Sequence, residues 1–136
     1  MIASEKEFKR LSNFPGVIGA LDGCHILIKA PNKNQRNYIN KNRKHSVVLV
    51  VICDSDMKFI FINCGFPGSA HDTRVFNLTN LLPTIINSNS KYKGNFHTIG
   101  DSAFALSRHL LVPFIDYGNL SEKNFNSTLV YLKLEL

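Results

Sequence analysis

Cysteine is scarce in this sequence, with three residues (Cys24, Cys53 and Cys64) among 136. The odd count, with no CxxC pair and no zinc-ligand spacing, argues against a disulfide framework or a zinc finger. The three thiols are expected to be buried, in a reducing compartment. Long apolar runs are also missing. The longest covers residues 47–53, far too short to span a bilayer, and no signal-peptide pattern opens the chain. Internal repeats and linker-like composition breaks are absent, and the length suits one domain with one hydrophobic core. With 44% hydrophobic and 19% charged residues, wholesale disorder is excluded. Acid is in short supply, with 10 Asp and Glu against 16 Lys and Arg, a formal net charge of +6.

That imbalance is local. Residues 29–45 carry Lys29, Lys33, Arg36, Lys41, Arg43 and Lys44 without an acid. The stretch is rich in Asn and holds Pro31 and one aromatic, Tyr38, so it reads as a loop. A loop with this field attracts a polyanion such as DNA; composition alone equally allows a solvated surface loop.

The pattern along the chain is α/β. Residues 4–12 are expected to form a helix, stopped by Phe14-Pro15-Gly16. Residues 17–28 read as a strand interrupted by Asp22-Gly23. Residues 46–53 are a β-branched and aliphatic run, expected as a central strand buried on both faces. Asp54-Ser55-Asp56 is a turn, and residues 58–66 a third strand that forms a hairpin with the second. Pro67-Gly68-Ser69 ends it, and a helix is expected to open at Asp72. Residues 87–95 are polar and loop-like. A fourth strand covers 96–100, a fifth 110–114, and a helix runs over 121–136. Three antiparallel strands followed by alternating helix and strand is the order an RNase H-like fold requires.

The acids sharpen this reading. Asp22 interrupts an apolar strand, Asp101 ends one, and Asp72 opens a helix. A carboxylate in a buried strand is costly unless it is paired or binds a cation. Acids on adjacent central strands can converge on a pair of metal ions. Phosphodiester hydrolysis uses such a site: two Mg²⁺ ions about 3.5–4 Å apart activate the nucleophile and neutralise the leaving oxygen.

Three stretches carry a family resemblance. Residues 14–26 (FPGVIGALDGCHI), residues 66–76 (FPGSAHDTRVF) and Gly100-Asp101-Ser102-Ala103-Phe104 with Leu110-Leu111-Val112-Pro113-Phe114 occur in order, and Glu122-Lys123-Asn124-Phe125-Asn126 echoes a fourth. Together they resemble PIF/Harbinger-type transposases and the Harbinger transposase-derived nucleases of animals. The resemblance implies a DDE-type, divalent-metal-dependent DNA endonuclease using Mg²⁺ or Mn²⁺. It makes Asp22 and Asp101 the two aspartates, with Glu135 as candidate third acid and Asp72 as a further metal-site carboxylate. It also implies a nuclear protein, with the cytoplasm as a second location, and a separate Myb/trihelix-like DNA-binding partner. Residues 1–13 would end an upstream helical segment and residues 14–136 would form the catalytic domain.

Bland readings stand beside these. Asp72 also suits a helix N-cap. His25 and His71 are phosphate or water ligands, or satisfied structural histidines. Arg74 holds a phosphate or pairs with an acid. The sequence also departs from the family pattern. Cys24 replaces the usual Thr, and Ala103-Phe104 replaces Gly-Tyr. The family glutamate is expected about eleven residues after Asn126, and Glu135 stands two residues early, a rotation of about 200° on a helix. The chain is therefore expected to be a C-terminally truncated domain with little cleavage of its own, and an inactive DNA- or protein-binding domain is the alternative. A small-substrate phosphohydrolase is disfavoured by the basic loop.

Overall fold

The computed structural model describes residues 3–12, 14–71, 74, 96–115 and 118–134. Helix α1 (Ala3–Ser12) leads into strand β1 (Val17–Leu27), followed by a short 3₁₀ turn (Gln35–Tyr38), β2 (Ser46–Cys53), β3 (Phe59–Pro67), β4 (His97–Ile99), β5 (Leu110–Leu111) and helix α2 (Leu120–Leu134). The strands form one sheet in the order β3-β2-β1-β4-β5. β1 and β2 pair antiparallel, as do β2 and β3, whereas β4 runs parallel to β1 and β5 parallel to β4. This mixed α/β architecture is consistent with an RNase H-like fold. The helix expected from Asp72 and the loop expected at 87–95 lie outside the described residues, as do Asp72 and Glu135 themselves.

Local chemistry sets the connections. Gly16 takes φ 76, a left-handed conformation suited to glycine, and turns the chain from α1 into β1. The β2–β3 hairpin closes on Asp54, whose Oδ1 accepts the amides of Asp56 and Lys58 at 2.9 Å each. That accounts for Asp54 by turn chemistry alone. β3 is an edge strand with two irregularities, one beside Ile60 and one at Gly65, which takes φ 119. Pro67 ends it at the edge, where a missing amide costs no ladder bond.

Each face of the sheet has its own core. Phe8 of α1, Val17 and Ala20 of β1, Ile99 of β4 and Leu129 of α2 pack on one side. Leu21, Val48, Val50, Ile52, Phe104 and Leu110 pack on the other. Each such side chain, when fully buried, contributes roughly 1.5–3 kcal/mol. Phe125 of α2 packs edge-on against Phe14 and Phe114, with centroids 5.4 and 5.3 Å away, tying the helix to both ends of the sheet's connections.

Four expectations need correction. β2 is fully buried on one face only: Ser46, Val48, Val50 and Ile52 are buried, while the alternate residues are half-buried. The described helices pack over β1 and against each other, which leaves the second face of β2 thinly covered. Two cysteines, Cys24 and Cys64, are exposed, and Cys53 is half-buried. Cys24 lies on the outer half of β1, beyond the helical cover, and Cys64 on the edge strand. Asp22 likewise is exposed, because the buried part of β1 ends at Leu21. β5 is also shorter than expected, ending at Leu111.

Candidate active site

Pairing between β1 and β4 sets where Asp22 and Asp101 stand relative to each other. Ala20 stands beside Ile99 in the parallel ladder. Asp22 and Asp101 each follow two residues later, so the register sets Asp22, in the middle of β1, beside Asp101, just past the C-terminal end of β4. Gly100 donates its amide to the Leu111 carbonyl at 2.9 Å, which carries the extended path of β4 up to Asp101. Side chains alternate along a strand, so residues two apart share a face. Ala20 and Ile99 belong to the core beneath α1 and α2, and Asp22 and Asp101 therefore project on that helical side.

Both carboxylates are seated by short local bonds. Asp22 Oδ1 accepts the Gly23 amide at 2.9 Å, and Asp101 Oδ1 accepts the Ala103 amide at 2.8 Å. The Asp101 carbonyl also accepts from the Phe104 amide at 3.2 Å, closing a turn that sends the buried Phe104 into the opposite core. Oxygen donors of this kind suit a hard cation such as Mg²⁺. Among the described residues, no three His, Cys, Asp or Glu side chains gather closely enough to hold a metal ion.

The fourth motif now has a physical account. Asn119 caps α2: its Oδ1 accepts the Glu122 amide at 2.9 Å, while Glu122 Oε2 accepts the amides of Gly118 and Asn119. This reciprocal arrangement is a capping box. Asn126 Oδ1 accepts the Phe114 amide at 2.7 Å and its Nδ2 donates to the Phe114 carbonyl at 2.9 Å. The amide thus mimics a neighbouring strand and fixes the rotation of α2 about its axis.

Lys29, Lys33, Arg36, Lys41, Arg43 and Lys44 are all exposed, yet the loop that bears them is well organised. Ile28 donates to the His45 carbonyl at 3.0 Å, and Ile39 bridges to His45. Asn40, only 6% exposed, is its keystone. Its Oδ1 accepts the amides of Asn42 and Lys44, and its Nδ2 donates to Ser46 Oγ at 3.0 Å. Ser46 Oγ in turn lies 3.0 Å from His25 Nδ1. Sequence reading missed Asn40 and Ser46 because nothing local marks one Asn among many as buried. His71 and Arg74 are exposed. His25 is set apart from Asp22: β1 and β2 pair without irregularity from Ala20 to Leu27, so residues three apart point to opposite faces.

Comparison with known proteins follows the same lines. Residues 21–132 match the model of the DDE superfamily endonuclease family. The chain is 36% identical over 107 residues to "Putative nuclease HARBI1" of Rattus norvegicus, covering 79% of this chain and 30% of that protein. The Homo sapiens protein of the same name is 31% identical over 115 residues, 82% of this chain and 31% of that one. "Protein ALP1-like" of Arabidopsis thaliana is 25% identical over 123 residues, 81% of this chain and 30% of that one. The chain therefore spans about three tenths of the length of the curated relatives it matches. No solved structure matches it.

Proposed function

Because this chain belongs to the DDE superfamily endonuclease family and resembles the Harbinger transposase-derived nucleases, we propose that it carries the two-aspartate part of a divalent-metal-dependent DNA nuclease site. The observation that carries this is the adjacency of Asp22 and Asp101 on the face covered by α2. Asp22 and Asp101 would hold Mg²⁺ or Mn²⁺, and Asp72 or Glu135 would complete the set. Bound there, such ions supply an activated water or hydroxyl and stabilise the departing oxygen of the phosphodiester. The rigid strands hold the two carboxylates in place. The exposed cations of residues 29–44 would neutralise backbone phosphates and draw DNA to the molecule without reading its sequence. Action in the nucleus, alongside a separate Myb/trihelix-like DNA-binding protein, belongs to the same proposal.

Mn²⁺ binding followed by electron paramagnetic resonance tests the site directly. Asp22→Asn and Asp101→Asn should each weaken it by at least about tenfold, a cost that even the loss of an outer-shell partner carries. DNA affinity should survive both changes. Mn²⁺ binding indifferent to both substitutions refutes the proposal. One observation favours a second reading, a domain that binds DNA without cutting it: Glu135 stands two residues short of the position where the resemblance puts the third acid. DNA binding without Mn²⁺ binding would select that reading.

A further inference from the structure

A cavity of about 350 Å³ opens between β1, the end of the basic loop and the turn that follows β3. It lies on the side of the sheet opposite Asp22: His25 shares its face with Leu21, and Ala70, another lining residue, packs against the Leu21 core. His25, Asn40, Lys41, Ser69 and His71 supply polar or cationic groups to its walls, and among the described residues no carboxylate lines it. We propose that this cavity is a phosphate-binding pocket that takes one backbone phosphate of bound DNA, separate from the phosphate that meets Asp22 and Asp101. The proposal rests on the DNA-nuclease reading above.

Several features mark the pocket as built. Asn40 Oδ1 is committed to two backbone amides, so its Nδ2 must face Ser46. Ser46 is fully buried, its oxygen receives that N–H, and it lies 3.0 Å from His25 Nδ1, a contact in which either group can be the donor. Ser46 thereby engages Nδ1 of His25, and Nε2 is the ring nitrogen left to meet a ligand. Lys41 follows the buried Asn40 directly, so its backbone is anchored although its ammonium is exposed. On the far wall, the Ser69 amide donates to the Asn37 carbonyl at 3.1 Å and clips the turn to the loop. Side-chain N–H and O–H donors grouped with one ammonium, and with no acid among the described lining residues, form an environment suited to an anion. A tetrahedral phosphate, which accepts several hydrogen bonds at once, fits it best.

Two probes test the assignment, inorganic phosphate and a short blunt DNA duplex of arbitrary sequence. In heteronuclear NMR of the histidine rings, phosphate should shift His25 and His71 and leave His97 in place. In fluorescence anisotropy, His71→Ala should weaken duplex binding about tenfold. Lys41→Ala should weaken binding comparably and flatten the slope by about 0.9. Lys33→Ala, an exposed cation of the same loop outside the cavity, should cost only about twofold. Duplex binding that persists while phosphate leaves both rings unmoved, or in which the pocket variants cost no more than Lys33→Ala, refutes the pocket and leaves the nuclease reading intact. Ring shifts with phosphate in a protein that binds no duplex refute the assignment to DNA, together with that reading.

Discussion

Replacing Gly68 with alanine would place a methyl carbon against Ser46 Oγ, 2.6 Å from the Tyr38 carbonyl oxygen and 2.7 Å from that of Ser46. Two of these three neighbours are backbone atoms, so no side-chain rotation relieves the contact. Overpacking of this kind costs roughly 1–3 kcal/mol. Displacing Ser46 also strains its hydrogen bonds to Asn40 and His25, each worth about 1 kcal/mol. A loss of about 2–4 kcal/mol is therefore expected, a large share of the roughly 5–15 kcal/mol that holds a domain together. Urea denaturation followed by circular dichroism reads it as a lower midpoint at unchanged slope. Gly118→Ala is the control: nothing lies within 4 Å of its added carbon. That variant should stay within about 0.5 kcal/mol of the parent. If Gly68→Ala does the same, the close approach of the Pro67-Gly68-Ser69 turn to the basic loop is not what makes glycine necessary there.

Replacing Lys41, Arg43 and Lys44 together with alanine should lower affinity for duplex DNA and flatten the salt dependence by up to about three units of slope, measured by anisotropy across a salt series; unaltered binding would make the loop a mere solvated surface. His97 gives a pH prediction. Burial, reinforced by His109 and opposed by a hydrogen bond to the Pro15 backbone, holds its ring below the ordinary value of 6.5. The unfolded chain then takes up a proton that the folded chain refuses, so this contribution to stability is complete above about pH 6.5 and is lost as pH falls through the lower folded value. Denaturation midpoints should decline from about pH 6.5 toward 5, and His97→Gln should flatten that decline.

Strand positions were legible in the sequence because apolar periodicity and turn residues act locally. β2 was bounded correctly at Ser46–Cys53, and β1, β3 and α2 differ by a residue or two at their ends. Which strands neighbour each other was less accessible, since the parallel contact of β1 with β4 joins residues some eighty positions apart. The exposure of Asp22 was misjudged for a related reason. An apolar run shows that a strand can be buried, while the extent of its burial depends on how far the helices reach over it. For the candidate site, Asp22 and Asp101 stood out as acids in apolar surroundings. Asn40 and Ser46 looked like any polar residues near a strand, and only the folded chain shows them joined. The role of Glu122-Lys123-Asn124-Phe125-Asn126 was equally hidden: a cap, a ring contact and a backbone clamp become visible only when Asn119, Phe14 and Phe114 are in place.

β3 has no charged residue from Phe59 to Pro67, and it exposes Phe59 and Ile62 at the open side of the sheet. A flat strand of that composition would be a template on which further chains could add, layer upon layer. The irregularities beside Ile60 and at Gly65 break the outward row of amides and carbonyls and increase the local twist, so a regular incoming strand finds only short stretches to pair with. Straightening the edge by removing one residue at Gly65 should therefore give a chain that forms larger species in concentrated solution than the parent does, as read by light scattering.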